Sequence, residues 1–375
     1  MSTRKGELRD KTIWPSDPHT LVKHLVYRHY LECWMPKILQ RFPQATIVDA
    51  FAGPGIYEDG LDGSPILAAR TFLSHTAYAR FGELTLVCLE KEAARVQSLH
   101  ERFAALGATP KLKVRVLDPG EFIDQQERLS KVAHGGDSGR PVLWLLDPFN
   151  IKNLPFDKVR ACLEGQRSEA VITFFAEEMH RFCTREGFDK ALDEHFGTNA
   201  WASARQVTGE AARKEALVTA YEQSLASEGL LTGRFSVQVR NATARYYLVF
   251  ATHSEYGLKC WNPVKWKLDA YAGHGASAAS LMQLDLFDTS HIQELKDRFA
   301  RHAGEERGWS ALLSEATKAG YLEKHVREAL DELAAEGLAF RVNPTEARTA
   351  WPEGCRVRFY RAQDAEAEVV EPLDV

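Results

Sequence analysis

Between residues 45 and 175, short strand-like runs alternate with helical stretches, and the first of these runs ends on a glycine loop. The run Ala45-Thr-Ile-Val-Asp-Ala-Phe51 is apolar and β-branched and stops at Ala52-Gly53-Pro54-Gly55, so a strand runs into a tight loop. In Gly63-Ser64-Pro65, Ser64 is placed to cap a helix and Pro65 suits its first turn, which predicts a helix to about Leu73. Further strands are expected at Leu84–Glu90, Lys113–Leu117, Val142–Leu146 and Ala170–Phe175, with helices at Ala93–Leu106 and Glu121–Ala133. Apolar strands alternating with helices are the mark of a parallel sheet covered on both faces.

Upstream, apolar residues recur at helical spacing from His19 to Leu39, with Pro36 expected to kink or end the helix. Downstream, residues 177–230 read as a polar, helical insertion flanking a cleft. Phe235–Val239 and Tyr246–Ala251, joined by residues 240–245, read as an antiparallel hairpin. A hairpin ending an otherwise parallel sheet favours a methyltransferase over a dehydrogenase. After a linker at 271–289, helices at His291–His302, Ser310–Ala319 and Glu323–Glu336 and a strand pair at Leu338–Arg341 and Arg356–Tyr360 outline a winged helix. The predicted organisation is an N-terminal helical segment (1–44), a Rossmann-like α/β domain with helical insertion (45–270), the linker, a winged-helix-like module (290–362) and an acidic, disordered tail (363–375).

The ends of the predicted strands carry the chemistry. Asp49, Phe51, Ala52, Gly53 and Gly55 form a loop where backbone can approach a charged ligand at the carboxyl edge of the sheet. Glu90 ends the next strand, where a carboxylate can accept both ribose hydroxyls, and Asp118 ends the one after, where an adenine edge would lie. Three such features in order point to S-adenosylmethionine as cofactor. The interval from Gly55 to Glu90 is too long for the usual dinucleotide fingerprint. Each residue alone also has a structural reading: Asp49 as a loop cap, Glu90 as a surface charge beside Lys91, Asp118 as a turn residue before Pro119.

Val142–Leu146 stops at Asp147-Pro148-Phe149-Asn150. The carboxylate of Asp147 and the carbonyl of Pro148 offer two acceptors to an amine N–H, and Phe149 could stack on a planar base. The plain alternative is an Asp-Pro turn with Phe149 in the core. From Arg234 to Lys267 basic residues, including Arg240, Arg245 and Lys265, interleave with Tyr246, Tyr247, Tyr256, Trp261 and Trp266. That pattern suits phosphates and unpaired bases, or else a hairpin core beside a solvated face. Asn150, Arg240, Arg245 and Lys265 are the expected substrate contacts.

The segment Ile47-Val-Asp-Ala-Phe-Ala-Gly-Pro-Gly-Ile-Tyr57, the Gly63-Ser64-Pro65 step, the helix His19 to Ile38, Asp147-Pro-Phe149 and Tyr246 to Leu258 together resemble the three-Cys-motif partner protein family, TcmP, over roughly residues 15–270. The resemblance implies a methyltransferase-like fold and association with a separate three-Cys-motif protein. The glycine loop is also similar to that of ribosomal-RNA adenine-N6 methyltransferases, which carry Asp-Pro-Pro-Tyr. Asp-Pro-Phe is similar to tRNA guanine-N2 dimethyltransferases, which continue with Gly where this chain has Asn150. The shared implication is an exocyclic amine of an RNA or DNA base. Rival readings are a non-catalytic adaptor and, third, a nuclease, which lacks a carboxylate cluster at metal-binding spacing.

A net charge of -5 argues against indiscriminate coating of nucleic acid. Six dispersed cysteines without a C-x-x-C pair read as reduced thiols of a cytoplasmic protein with no metal. The N-terminal residues lead into no apolar core and no long apolar run follows, so neither secretion nor membrane insertion is expected.

Overall fold

The computed structural model describes residues 11–107, 109–137, 139–238, 244–270, 272–277, 290–342 and 350–361. The first helix, α1 (Pro18–Leu39), is capped by Asp17, whose side chain accepts from the His19 N–H. It continues through Pro36 to Leu39 and so does not end at the proline. Proline leaves the carbonyl four residues earlier without its partner; here that carbonyl, of Glu32, is met by Nε2 of His75 at 3.2 Å.

Then follow β1 (Gln44–Asp49), α2 (Ser64–Ser74), β2 (Glu83–Cys88), α3 (Ala93–Ala105), β3 (Leu112–Val116), α4 (Phe122–His134), β4 (Val142–Leu146), α5 (Phe156–Cys162) and β5 (Ser168–Phe174). Gly63, not Ser64, is the N-cap of α2, because the Ser64 hydroxyl is turned to Asp49. The insertion comprises α6 (Ala176–Cys183), α7 (Asp189–Phe196) and α8 (Glu210–Ser227). Then come β6 (Leu231–Gln238), β7 (Ala244–Thr252), α9 (Glu255–Leu268) and the two-residue β8 (Gly275–Ala276).

The sheet order is β3-β2-β1-β4-β5-β7-β6-β8. Strands β1 to β5 pair in parallel, and β7 is antiparallel to both β5 and β6. This order, reversing direction of travel between β1 and β4 and ending in an antiparallel hairpin, is that of a Rossmann-like methyltransferase sheet. Period-two alternation sends Val48, Trp144 and Leu146 into a core beneath α4 to α8, and Ala45, Ile47, Leu143 and Leu145 into a second core beneath α1, α2 and α9.

The buried carboxylate of Glu169 on β5 fastens α1 to the sheet. It accepts from Tyr30 (2.8 Å), Trp34 (2.9 Å) and Thr252 (2.8 Å).

By contacts the chain divides into two units, Met1–Leu268 with His274–Gln283, and Asp269–Gly273 with Leu284–Val375. The second contains α10 (Ser290–Ala300), β9 (Glu306–Gly308), α11 (Trp309–Lys318), α12 (Glu323–Ala335), β10 (Ala339–Arg341) and β11 (Arg356–Phe359). Its sheet has three strands, in the order β10-β11-β9, where the sequence pattern suggested two. The expected tail and most of the linker lie outside the described residues. Among the described residues, no helix is long and apolar enough to cross a membrane.

Candidate functional site

The carboxyl ends of β1, β2 and β4 meet at the point where the strand order reverses, and the candidate site is built there. The loop after β1 turns on Gly53 (φ 61°) and Gly55 (φ 78°), left-handed conformations that favour glycine. Gly63 comes so near that a Cβ on it would lie 2.9 Å from the backbone of Gly55. The loop is tied to the next strand end: Oε2 of Glu90 accepts the Gly53 N–H at 3.0 Å and Oε1 accepts the Glu92 N–H at 3.0 Å. Arg95 on α3 stands 3.6 Å from the same carboxylate. Glu90 is thus no loose surface charge; it is 3% exposed and joins the loop to α3.

A cleft of about 370 Å³, open mouth included, lies beside it, walled by Phe51, Glu90, Gly120, Phe122, Phe149 and Asn153. Asp118 is not part of this wall, contrary to expectation. The turn at its strand end sends it to solvent, where it pairs with Arg128 at 3.2 Å, and Gly120 and Glu121 take the place foreseen for it. Phe149 is not a core residue: it is 40% exposed and faces the cleft. Pro148 is buried, and Asn150 is half-buried with Oδ1 lacking a partner among the described residues.

Behind the glycine loop, under the first turns of α1, lies a cluster of titratable groups. Asp147, at the end of β4, is ion-paired with Lys23 of α1. Burial works against the charge on Lys23, yet the Asp147 carboxylate, with Tyr57 and Tyr27, holds its pKa well above the ordinary value. Oδ1 of Asp49 accepts the Phe51 N–H at 3.3 Å. Burial lifts the Asp49 carboxyl to about 6, opposed by the Ser64 hydroxyl and the Phe51 N–H. Burial also holds the His24 imidazole down at about 3, aided by Lys23. Both ring nitrogens of His24, the hydroxyl of Tyr27 and Oδ2 of Asp49 are buried with no hydrogen-bond partner among the described residues. Each such group costs about 1–3 kcal/mol, so a concentration of them at one strand edge is the sign of a site shaped for a polar ligand.

The segment before α1 closes over the loop. The Trp14 carbonyl accepts the Glu58 N–H at 3.0 Å, the Lys11 carbonyl accepts from Arg95 at 3.0 Å, and Ser16 donates to Asp59. The Trp14 indole packs against Gly53, with the Arg95 guanidinium 4.7 Å from the ring centroid. Tyr57 and Phe149 stand edge-on to it at 6.2 Å and 6.0 Å.

The basic and aromatic stretch is mostly not a ligand surface. Tyr246, Tyr247, Trp261 and Trp266 are buried, and Trp261 stacks on Phe250 at 5.1 Å. Arg234 is paired with Glu215 and Glu222, each at 3.0 Å. Lys265, expected at a substrate, is 7% exposed in α9, where its charge acts on Glu222. Arg240 and the side chain of Arg245 lie outside the described residues. Trp14, Lys23, His24, Tyr27, Tyr57 and Arg95 escaped the sequence reading. The available signal was the polar triplet Lys23, His24 and Tyr27 on a helix otherwise rich in buried apolar positions. Among the described residues, no group of three or more His, Cys, Asp or Glu is placed to hold a metal ion.

No protein-family model and no curated protein matches the chain. Solved structures similar to it include Trm1 from Pyrococcus horikoshii in complex with S-adenosyl-L-methionine, at 10% identity over 97% of this chain and 96% of that one, with a TM-score of 0.40. A Klebsiella pneumoniae protein assigned as an O-methyltransferase matches at 14% identity over 64% and 92%, with a TM-score of 0.33. A geranyl diphosphate C-methyltransferase from Streptomyces coelicolor A3(2) matches at 14% over 59% and 77%, with a TM-score of 0.26. With scores this low, the fold assignment rests on strand order and direction.

Proposed function

We propose that the chain is a methyltransferase that uses S-adenosylmethionine and acts on an exocyclic amine of a nucleic-acid base. The observation that carries the reading is that a single glycine loop separates the cleft at Glu90 from the buried carboxyl of Asp49 and the half-buried, Lys23-paired carboxylate of Asp147. The donor set fits this cofactor. Glu90 would hold the ribose hydroxyls, and Phe51 and Phe122 would flank the base. The free oxygen of Asp49 would take the ammonium of the methionine end, and Lys23 with the first turn of α1 its carboxylate. When bound, the cofactor supplies a methyl group on a cationic sulfur.

Asp147 would accept an N–H of the incoming amine in place of Lys23 and hold its lone pair toward the transferred carbon; as the N–C bond forms and the carbon–sulfur bond breaks, the proton lost by the nitrogen would pass to Asp147 and on to solvent. The Pro148 carbonyl offers a second acceptor, and exposed Phe149 stacks on the base ring. His24 stays neutral throughout the physiological range and is available for hydrogen bonding. The same reading makes the chain a TcmP-type protein working beside a three-Cys-motif partner, with its second unit a winged helix for macromolecular contact. The rival is an adaptor without turnover. It draws on Lys23, which already neutralises Asp147.

Calorimetric titration of the purified chain with S-adenosylmethionine, beside ATP and NAD, tests the proposal. The expected result is micromolar binding of the first alone, weakened at least about tenfold in Glu90→Ala. Asp147→Ala is expected to keep that affinity within a few-fold and to abolish methyl transfer to base-containing oligonucleotides. Absence of binding sinks the proposal, binding without transfer in the unsubstituted chain favours the adaptor, and loss of cofactor binding in Asp147→Ala reassigns that residue.

A further inference from the structure

We infer that Trp14 is a ligand-binding residue, and that residues 11–17 form a strap holding the cofactor in its cleft; this rests on the cofactor reading above. The indole stands at the junction of the two halves of the site. On one side it meets Phe149, which walls the cleft, and on the other Tyr57, whose ring is 5.8 Å from that of His24 in the buried cluster. Beneath it is Gly53, the residue bonded to Glu90. The ring therefore touches a wall of the cleft, the loop glycine bonded to Glu90, and the tyrosine beside the buried cluster.

Arg95 couples the strap to the site. Its guanidinium faces the Glu90 carboxylate at 3.6 Å, donates to the Lys11 carbonyl at 3.0 Å and lies over the Trp14 ring. A ligand that engages Glu90 therefore acts on the group that anchors the strap. Among the described residues its other anchors include one backbone hydrogen bond to Glu58, the exposed pair of Lys11 with Glu58 at 3.1 Å, and the Ser16–Asp59 contact. Exposed pairs of this kind bind weakly in water, so the strap can lift to admit a ligand and settle again over it. The Trp14 indole, braced edge-on by Phe149, presents rigid apolar surface to the sugar and the thioether chain at little cost in side-chain order.

The test is stopped-flow measurement of S-adenosylmethionine association and release by the full chain, unsubstituted and as Trp14→Ala and Trp14→Phe. Trp14→Ala is expected to release the ligand about tenfold faster with its association rate little changed, and Trp14→Phe to recover most of the difference. Saturating ligand is also expected to slow tryptic cleavage after Lys11 in the unsubstituted chain and not in Trp14→Ala, a protection that a purely structural tryptophan would not give. Release unchanged within twofold, or tighter binding by Trp14→Ala, overturns the inference and leaves the cofactor reading standing. No binding by the unsubstituted chain overturns both.

Discussion

Asp49 carries its charge into the protein interior with only partial compensation, and this gives its chemistry a pH signature. Its folded-state value of about 6 lies above the ordinary 3.8, so the folded chain binds a proton more tightly than the unfolded chain. The stability this contributes is present below the unfolded value and is lost as pH rises through about 6, roughly 3 kcal/mol in all. A cationic ligand has the opposite preference, since it needs the ionised form. Affinity for S-adenosylmethionine should therefore climb between pH 5 and 7 by up to about tenfold per unit and level off above. Titration calorimetry at several pH values checks this, and Asp49→Asn should bind weakly and without the slope; a flat profile in the unsubstituted chain would remove Asp49 from the ammonium site. The placement of Asp49, Glu90 and Phe149 at one edge of the sheet was legible in the sequence because the carboxyl ends of parallel strands share that edge by construction. Asp118 was misjudged because the turn through Pro119 and Gly120, not the strand, decides which way its side chain goes.

At the scale of elements, α1 is both a wall of the core and the carrier of Lys23, His24 and Tyr27. Its position depends on Glu169, whose pKa is raised by burial against the hydrogen bonds of Thr252, Tyr30 and Trp34. Glu169→Ala would strand three donors, two of them aromatic, and should cost about 3 kcal/mol or more in urea unfolding. It should also loosen cofactor binding, because the helix delivering Lys23 would lose its fastening; a loss below about 1 kcal/mol would show that packing alone places α1. The 22-residue span of α1 was visible in its apolar periodicity, but its passage through Pro36 was not, because His75 meets the carbonyl of Glu32 from 43 residues away in the chain. Helix α9 was missed for a related reason. Its lysines and tryptophans look like a nucleic-acid face in one dimension, whereas Trp261 is locked between Tyr30 and Phe250 in three.

For the whole molecule, alternation of strand and helix was enough to give the parallel sheet, and the hairpin signal gave the reversed strand at its end. Strands β8 and β9, two and three residues long, have no period to detect and exist only through their partners. The site residues all belong to the unit that includes Met1–Leu268 and His274–Gln283. A chain ending at Gln283 should accordingly bind S-adenosylmethionine within about twofold of the full chain by calorimetry. A larger loss would show that the second unit is needed for the first to fold or close. The reversed direction of β7 has a practical corollary. Gln238 at the end of β6 and Ala244 at the start of β7 both lie at the rim of the sheet that carries Asp49 and Asp147. The turns before β3 and β4 open at the opposite rim, which makes the neighbourhood of Gly107 or Asp137 the place to attach a fluorophore or a surface tether without disturbing the chemistry.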